Sequence, residues 1–361
     1  MAELSHRALR ELIAGFEKPG IGGCDEYFTE MISAGALVGG GRFESFYSDA
    51  GPCPERVVYQ LVGSKPAQIA EAAAILDGLP CAGIDINMGC SAPAITRLGA
   101  GVRWMASIDE AGDLIRQVRP RTRRRLSVKL RIGLEDDFDY LVKFCRRLEA
   151  EGVDRVTLHP RTAREKFRRT ARWDYVGRLR DSLGIPVAGN GDIANAGELL
   201  HRASSGACDA VMVGRAALRA PWIFAQAKGM WAAEETMEHD EQTGTEWNGG
   251  KTAAPGSLAV KSDDAVTGTV HPAKFILGEV NLEETALRFL ELLARYQPPE
   301  FHISRARRFF NYYCDNLVWA HYIKTRLNRE TDLAGIEAVL RGYFREHTEE
   351  RQLRLNHREG N

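Results

Sequence analysis

Short apolar runs alternate with longer stretches of helical periodicity over the N-terminal part of the chain. The runs rich in aliphatic and β-branched residues are YFTEMIS from Tyr27, RVVYQLVG from Arg56, GIDINMG from Gly83, LSVKLRIG from Leu126, RVTLHPR from Arg155, IPVAGNGD from Ile185 and AVMVGRAAL from Ala210. Strands that alternate with helices form βαβ units, whose strands lie parallel in one sheet. The pattern therefore predicts an α/β fold, and the length of the alternating part fits a (β/α)8 barrel, which takes about 250 residues.

The start of the chain predicts a helix where such a barrel would have its first strand. In MAELSHRALRELI, Ser5 is a candidate cap for a helix that begins near His6. The strand expected before that helix is represented by Met1 and Ala2 alone. We therefore expect either a native start upstream of Met1 or a TIM barrel whose truncated first strand leaves a sheet edge exposed.

The periodic pattern is lost between about Ala227 and Val270 and returns from Asn281. The middle segment is polar and rich in Gly, Thr, Ala and Glu, which predicts a flexible insertion. Helical spacing is restored in TALRFLELLARY, ISRARRFFNYYCDNLVWAHYIKTRL and LAGIEAVLRGYF, which predicts a C-terminal all-helical domain. The predicted organisation is a barrel over 1–226, an insertion over 227–270 and a helical domain over 271–361.

Composition and charge narrow the class of protein without identifying a partner. The chain has 361 residues, of which 44% are hydrophobic, and this is enough for a large core. Its formal net charge is −1, so any contact with nucleic acid must use local basic patches. The seven cysteines lack paired metal-ligand spacing, and neither a signal peptide nor a long apolar run is visible, so we expect a cytoplasmic protein without a metal site or membrane span.

Polar and glycine residues follow the predicted strands, and in a barrel these strand ends meet on one catalytic face. They are Gln60, Asn87, Cys90, Lys129, Arg131, His159, Arg161, Asn190, Gly191, Asp192, Gly214 and Arg215. Polar residues end most strands, so each one alone has a structural explanation, but twelve together predict an active site. The glycines of GNGD and GRAA let backbone N–H groups approach a phosphate, and Arg215 can add charge-assisted bonds. Lys129 and Gln60 suit the polar edge of a flavin, because a cation near N1 stabilises the reduced ring.

These blocks, taken in order, resemble the tRNA-dihydrouridine synthases from Ala2 to about Asp332, apart from the polar insertion. The similar segments are SHRALRELI, TEMISA, YQLVGSKP, NMGCSAP, VKLRIG, LHPRT, GNGDI and VGRAALRAPWIF, followed by aromatic, arginine-bearing helices that resemble the family's RNA-binding domain. The resemblance implies an FMN-dependent enzyme that reduces the C5=C6 bond of particular uridines in tRNA and uses NADPH, or NADH, to recharge the flavin.

Carried over to this chain, the resemblance assigns a role to each of the strand-end residues. The residues implied to hold FMN are Gln60, Lys129, His159, Asn190, Gly191, Asp192, Gly214 and Arg215. Asn87, Arg131 and Arg161 are implied to face the substrate, and Cys90 is implied to be the catalytic acid.

Cys90 would protonate C5 of the uracil after hydride from the flavin N5 has added to C6. A thiol with a pKa of about 8.5 is mostly protonated near neutral pH, as a proton donor must be. Ser91 follows Cys90 where the family usually has proline, so a rigid φ is lost at the loop. The other cysteines are predicted to be small buried hydrophobes, and they are Cys24, Cys53, Cys81, Cys145, Cys208 and Cys314.

Three basic regions are candidates for RNA contact. Arg119–Arg125 precedes a strand, which places it on the face away from the active site as a solvated loop. Arg161–Trp173 follows a strand and carries six cations against Glu165, so it is the preferred RNA contact. In the C-terminal helices the predicted phosphate partners are Arg305, Arg307, Arg308, Lys324 and Arg326, and the predicted core aromatics are Phe309, Phe310, Tyr312, Tyr313 and Trp319.

Two other functions are compatible with the same residues. One is an RNA-binding barrel that has lost catalysis, which Ser91 and the short N-terminus favour and the presence of Cys90 and Lys129 opposes. The other is an FMN barrel that acts on a free small molecule such as dihydroorotate, although this gives the basic helical C-terminus no role.

Overall fold

The sheet of the computed structural model contains the seven predicted strands, adjacent to one another in chain order and all parallel. The structure describes residues 3–166, 168–243 and 278–355. The strands are β1 (Tyr27–Ser33), β2 (Val57–Val62), β3 (Gly83–Met88), β4 (Arg125–Arg131), β5 (Arg155–His159), β6 (Val187–Asn190) and β7 (Ala210–Met212). Every residue of β2 and β3 is buried, as expected for strands covered on both faces. The α/β class and all seven strand positions are thus confirmed.

Helices follow the strands and cover the sheet. They are α1 (Arg7–Ala14), α2 (Ala34–Val38), α3 (Glu44–Tyr47), α4 (Pro66–Asp77), α5 (Pro93–Thr96), α6 (Ile108–Val118), α7 (Phe138–Ala150), α8 (Trp173–Arg180), α9 (Ala196–Ser204), α10 (Ala216–Arg219) and α11 (Ile223–Thr243). Side chains cap several of them: Asp137 accepts from the Tyr140 N–H at 2.9 Å, and Asn195 accepts from the Glu198 N–H at 2.8 Å. The prediction that Ser5 caps the first helix is wrong, because His6 occupies the N-cap without a side-chain bond.

The two edges of the sheet face one another across a cavity. Within the described ranges, β1 pairs with β2 alone and β7 pairs with β6 alone. Residues of both edge strands, including Phe28 and Met212, nevertheless line the same cavity. The sheet is therefore curled like most of a barrel, with its two edge strands unpaired to each other in the part of the chain that the structure describes. Met1 and Ala2, the predicted remnant of a first strand, lie outside that part.

The segment predicted as an irregular insertion starts as a helix. Helix α11 continues through Thr243, so the prediction of irregular structure from residue 227 is wrong for residues 227–243. Ala, Glu, Met and Gln in this stretch favour helix intrinsically, although their polarity gives no amphipathic stripe. The rest of the predicted insertion, 244–270, lies outside the described residues.

The C-terminal part consists of helices that share an aromatic core. They are α12 (Leu282–Tyr296), α13 (Pro299–Tyr313), α14 (Ala320–Leu327) and α15 (Leu333–Glu346), bracketed by the antiparallel pair β8 (Glu279–Asn281) and β9 (Gln352–Arg354). Phe289 stacks on Phe309 with ring centroids 3.7 Å apart, and Phe310 and Tyr313 are buried beside them. Tyr312 is only partly buried. The prediction that Trp319 belongs to the core is wrong, because this side chain is 55% exposed just before α14, on the outer surface.

A buried ion pair joins the C-terminal helices to the sheet. Arg305 of α13 donates to Glu30 of β1 at 2.8 Å, and the two side chains are only 1% and 2% exposed. Arg305 was expected to contact phosphate, and this prediction is wrong because its guanidinium lies inside the junction. Among the described residues, none of the helices combines the length and apolarity that a membrane crossing requires.

Candidate active site

All twelve strand-end residues singled out in the sequence line one cavity of about 1450 Å³, which extends from the carboxyl ends of the strands to the first residues of β1, β5 and β7. Cys90 lies between β3 and α5, Lys129 lies on β4 and Arg215 immediately precedes α10. Such a cavity is larger than the 300–1,000 Å³ typical of small-molecule sites, and it can hold a cofactor and a second molecule together. The carboxyl-end rule for parallel sheets is what brings these distant residues together.

A chain of hydrogen bonds crosses the floor of the cavity from β2 to β4. Asn87 Nδ2 donates to Gln60 Oε1 at 3.0 Å, and Gln60 Nε2 donates to Asp85 Oδ2 at 2.8 Å. Ser127 Oγ donates to the other Asp85 oxygen at 2.6 Å. Both ends of the Gln60 amide are therefore committed, which fixes its orientation without ambiguity. Sequence reasoning missed Asp85, although an aspartate at the centre of the apolar strand GIDINM is itself a signal.

Asn87 also holds the loop that carries Cys90. Its Oδ1 accepts from the backbone N–H of Gly89 at 3.2 Å and of Cys90 at 2.9 Å. The Cys90 carbonyl in turn accepts from Val102 N at 3.0 Å. Gly101 has a φ of +63°, and a Cβ there would meet the Cys90 carbonyl oxygen, so only glycine fits. The thiol thus stands on a rigid loop even though Ser91, and not proline, follows it.

Lys129 has an amino group that changes its protonation state near neutral pH. Burial lowers the pKa of Lys129 to about 8, opposed by the nearby Asp85 carboxylate, which favours the charged form. Lys129 lies opposite Asn87 on β3 and opposite Thr157 on β5. The ammonium is therefore present at neutral pH and is lost at mildly alkaline pH.

His159 is a neutral imidazole of defined tautomer. Burial, reinforced by Lys129 and three arginines around it, lowers the pKa of His159 to about 2. Its Nε2 lies 2.9 Å from Arg161 Nη1. Because a guanidinium can only donate, Nε2 is the acceptor and the ring proton is assigned to Nδ1. His159 therefore acts as a hydrogen-bond donor at Nδ1 and does not titrate in the physiological range.

Arg161 lines the cavity, but its side chain forms hydrogen bonds with other residues of the protein. Its Nη2 donates to both oxygens of Asp192 at 2.6 and 2.7 Å, and its side chain is 4% exposed. Asp192 also accepts from Ala171 N at 2.7 Å. Both carboxylate oxygens of Asp192 therefore accept hydrogen bonds from the protein. The Asp192 backbone is the part of this residue that can bind a ligand.

Arg131 and Glu165 also hold the loop that follows β5. Arg131 donates from Nε to Gly89 O at 2.9 Å and from Nη1 to the carbonyls of Thr162 and Lys166 at 3.2 Å. A hydrogen bond from Arg172 lowers the pKa of Glu165 to about 2, so this carboxylate stays charged and holds the base of the loop. The described residues between Arg161 and Arg172 therefore form a braced platform.

Only some of the six cations that the sequence places in this loop are exposed to solvent. Of the six cations, Arg164 is 79% exposed beside Glu135, Arg169 is 75% exposed and Arg168 is exposed. Lys166 lines the cavity with a left-handed φ of +53°, a conformation that non-glycine residues adopt mostly at special sites. Four of the six cations, Arg164, Lys166, Arg168 and Arg169, are therefore exposed, whereas Arg161 is buried against Asp192.

The other two basic regions are the Arg119–Arg125 segment and the cations of the C-terminal helices. Arg119 lies at the opposite end of the sheet, where it pairs with Asp154 at 2.8 Å, and Arg123 is 95% exposed, as expected for a solvated loop. In the C-terminal helices, Lys324 pairs with Asp315, and Arg326 donates to the Tyr322 hydroxyl at 3.1 Å. Both cations thus have partners within the C-terminal part of the chain.

The last two strands present backbone to the cavity. Asn190 Nδ2 donates to Met212 O at 2.8 Å and so ties β6 to β7. Gly191 has a φ of +119°, and a Cβ there would lie 2.9 Å from His159 Cδ2, so the turn requires glycine. Gly214 and Arg215 precede α10 on the next strand end. Backbone N–H groups and a guanidinium at consecutive strand ends suit a phosphate.

Three cavity-lining residues of the described structure, Arg10, Arg155 and Thr157, each have a buried side-chain atom without a hydrogen-bond partner, and Thr157 is the uncharged one. Thr157 lies on β5, is fully buried, and its Oγ1 makes no hydrogen bond within the described structure. Thr157 lines the cavity, so a ligand atom can satisfy this hydroxyl. Its polar side chain inside the buried run RVTLH was the only sequence signal for it.

Comparison with known proteins gives a consistent family. The dihydrouridine synthase family model matches residues 1–246. A "Probable tRNA-dihydrouridine synthase" of Mycobacterium tuberculosis is 33% identical over 236 residues, which are 63% of this chain and 60% of that protein. One from Aquifex aeolicus is 31% identical over 63% of this chain and 71% of its own. A mouse protein named "tRNA-dihydrouridine(20a/20b) synthase [NAD(P)+]-like" is 31% identical over 62% of this chain and 67% of its own. The matched region therefore spans about 60% of the length of the mycobacterial relative.

Proposed function

The chain belongs to the dihydrouridine synthase family, and from that premise we propose that it reduces the C5=C6 bond of uridines in tRNA with electrons from NADPH or NADH. The observation that carries the proposal is the single cavity lined by Cys90 together with every other predicted strand-end residue. The names of the similar proteins, including the NAD(P)+ of the mouse protein, support the same activity.

We propose FMN as the bound cofactor, because the residues present fit it. The backbone at Asn190, Gly191 and Gly214, with Arg215, suits its phosphate, and Lys129 and Gln60 suit the polar edge of its ring. Thr157 Oγ1, buried without a partner, offers one more hydrogen bond to a ligand in the cavity. When bound, FMN supplies the hydride that adds to C6 of the uracil.

Cys90 is the proposed acid for the proton that C5 must receive. The amide of Asn87 fixes the backbone N–H of Cys90 and so limits where the thiol can stand. Proton transfer requires the donor to lie within hydrogen-bond reach of the accepting atom, so this fixed loop matters for the rate. His159 can donate from Nδ1 to a carbonyl oxygen without changing its own protonation.

A tRNA substrate gives a role to the basic side chains around the cavity and to the C-terminal helices. A uridine in folded tRNA is extruded from its stack before it can enter a cavity, and basic side chains around the opening hold the flanking strand. We propose that residues 1–226 form the catalytic part, a (β/α)8 barrel whose remaining strand belongs between β7 and β1, and that 271–361 form the RNA-binding part. Seven free thiols and a tRNA substrate together favour the cytoplasm.

The proposal is tested by tRNA mass spectrometry in a host that lacks its own dihydrouridine synthases. Expression of this protein is expected to restore uridines heavier by two hydrogens, and the Cys90→Ala variant is expected not to restore them. Cys53→Ala is the matched control, because Cys53 is a partly buried free cysteine that does not line the cavity. NADPH-dependent reduction of the flavin is expected to survive in both variants.

Two outcomes would contradict the proposal. If the folded wild-type protein with bound FMN leaves tRNA unchanged, the family activity is absent and the catalytically impaired RNA-binding function is favoured. If the purified protein instead reduces a free pyrimidine and ignores tRNA, it is a small-molecule oxidoreductase.

A further inference from the structure

A second, smaller cavity of about 350 Å³ opens beside the first one, at the surface of α13. It is lined by Leu4, Arg307, Arg308, Asn311, Tyr312 and Asn328. Arg308 and Tyr312 line both cavities and so form the wall between them. Whatever occupies the smaller cavity therefore lies next to whatever occupies the larger one.

The smaller cavity is built for an anion. Arg307 donates from Nη2 to the Glu330 carbonyl at 2.8 Å, while its Nε is buried without a partner in the described structure. Arg308 projects from the same helix with 54% of its side chain exposed. Asn311 and Asn328 add amide groups that can donate to oxygen atoms. Two guanidinium groups and two amides around a small space match the oxygens of a phosphate.

One of these two arginines already binds a carboxylate of the protein. Glu3 forms an ion pair with Arg308, and Glu3 adopts a left-handed φ of 59° that is uncommon for a glutamate. The pair is half exposed, with side chains 54% and 42% accessible, so water screens it and the contact is readily exchanged. A ligand phosphate can therefore take the place of the Glu3 carboxylate on Arg308.

We propose that the smaller cavity binds a backbone phosphate of the substrate RNA strand, one that flanks the uridine in the larger cavity, with Arg308 exchanging Glu3 for that phosphate. The inference rests on the proposed function, since it takes the strand that delivers the uridine as the ligand. Phosphate contacts of this kind set the position and register of a nucleic acid without reading its sequence.

Glu3 and Arg308 then have opposite effects on RNA binding, which a purely structural ion pair would not produce. Removal of the Glu3 charge frees Arg308 and takes away a competing anion, so RNA is bound more tightly. Removal of Arg308 takes away one phosphate contact, so RNA is bound more weakly and with a smaller dependence on salt.

The test is the affinity of full-length tRNA for the FMN-loaded protein, measured at several salt concentrations. Arg308→Ala is expected to weaken binding about tenfold and to lower the slope of log K against log salt by about 1. Glu3→Gln is expected to strengthen binding several-fold at low salt. Arg288→Ala is the matched control, because Arg288 is an exposed arginine of α12 that pairs with Glu291 and lines neither cavity. Thermal unfolding of each variant shows whether it is folded.

Several results would overturn the inference while leaving the proposed function intact. If the wild type forms dihydrouridine but both Glu3→Gln and Arg308→Ala weaken RNA binding, or neither differs from Arg288→Ala, the cavity does not bind the strand. If Arg308→Ala slows reduction of the flavin by NADPH and leaves tRNA affinity unchanged, the cavity serves the dinucleotide. Failure of the wild type to form dihydrouridine, in contrast, refutes the proposed function itself.

Discussion

The Asn87 side chain both accepts and donates hydrogen bonds in the cavity. Its Oδ1 accepts from the N–H groups of Gly89 and Cys90, and its Nδ2 donates to Gln60. A leucine or an alanine at this position would leave two backbone donors of the catalytic loop without an acceptor. Asn87 therefore positions Cys90 in addition to any contact with the uracil.

We expect Asn87→Ala to lower the rate of dihydrouridine formation about 100-fold, because a displacement of about 1 Å at the reacting group is enough for such a loss. Single-turnover assays with tRNA measure this rate, and reduction of the flavin by NADPH is expected to change little. Asn195→Ala is the control, since Asn195 also accepts from a backbone N–H, at the start of α9, outside the cavity. Equal losses in the two variants would mean that Asn87 acts only on stability.

Lys129 gives the site a pH dependence of predictable sign. Burial lowers the pKa of Lys129 to about 8, so the ammonium exists below that pH and disappears above it. A cation near N1 stabilises a reduced flavin, and we therefore expect the rate of flavin reduction by NADPH to fall as the pH rises through about 8. Stopped-flow absorbance measures this rate.

Lys129→Met is expected to be slow and to lack the step near that pH. A wild-type profile that stays flat through mildly alkaline pH would show that Lys129 does not control the flavin.

Buried side chains hold the described backbone of the loop between β5 and α8 at several points. Arg161 bridges to Asp192 and Ala171 N joins the same carboxylate, so β5, β6 and the loop are tied at one point. Arg131 ties the loop to the Cys90 segment through Gly89. The described backbone that carries the exposed cations of the loop is therefore held at these points, and Lys166 lines the cavity.

Asp192→Ala is expected to lower the free energy of unfolding by about 2 kcal/mol, since the Arg161 guanidinium would remain buried without its charged acceptor. Urea denaturation measures the loss. The control is Asp181→Ala, because Asp181 also pairs with an arginine, Arg180, but is 69% exposed, and its removal should cost less than about 1 kcal/mol. Similar values for the two variants would contradict the bracing role of Asp192.

The junction between the sheet and the C-terminal helices contains one buried ion pair. Arg305 and Glu30 join α13 to β1, and Arg10 and His6 are buried nearby. Burial raises the pKa of Glu30, and the positive charge of Arg305 opposes this effect. Both proposed RNA surfaces, on the β5–α8 loop and on α13, must act on one tRNA, so this ion pair contributes to their relative placement together with the packing of α1 on α12 and of α10 on α13.

Arg305→Ala is expected to lower the free energy of unfolding by about 3–5 kcal/mol, because it leaves the Glu30 carboxylate buried without its ion-pair partner. Among molecules that remain folded, KM for tRNA should rise more than the rate of flavin reduction falls. Denaturation and steady-state kinetics measure the two effects.

Arg42→Ala is the matched control. Arg42 also reaches α13, where it pairs with Glu300, but these side chains are 76% and 45% exposed and the pair should contribute less than about 1 kcal/mol. If Arg42→Ala matched Arg305→Ala, burial would not be what makes the junction strong.

Local pattern was enough to predict the seven strands and the residues at their ends. Short apolar runs rich in β-branched residues, separated by helical patterns, favour parallel strands. Parallel strands bring their carboxyl ends to one edge, so Cys90, Lys129, His159 and Arg215 could be placed in one cavity from the chain alone. Helix α11 was missed because intrinsic propensity, without an amphipathic stripe, leaves no periodic signal.

Whether an individual polar side chain faces a ligand or the protein itself depended on tertiary contacts. Arg161 and Arg305 have the same chemistry as Arg168 and Arg308, and no local feature distinguishes the buried pair from the exposed one. Their partners, Asp192 and Glu30, lie 31 and 275 residues away in sequence, so only the folded chain brings each carboxylate to its arginine. Residue type fixed which chemistry was present, and long-range packing decided where each charge is used.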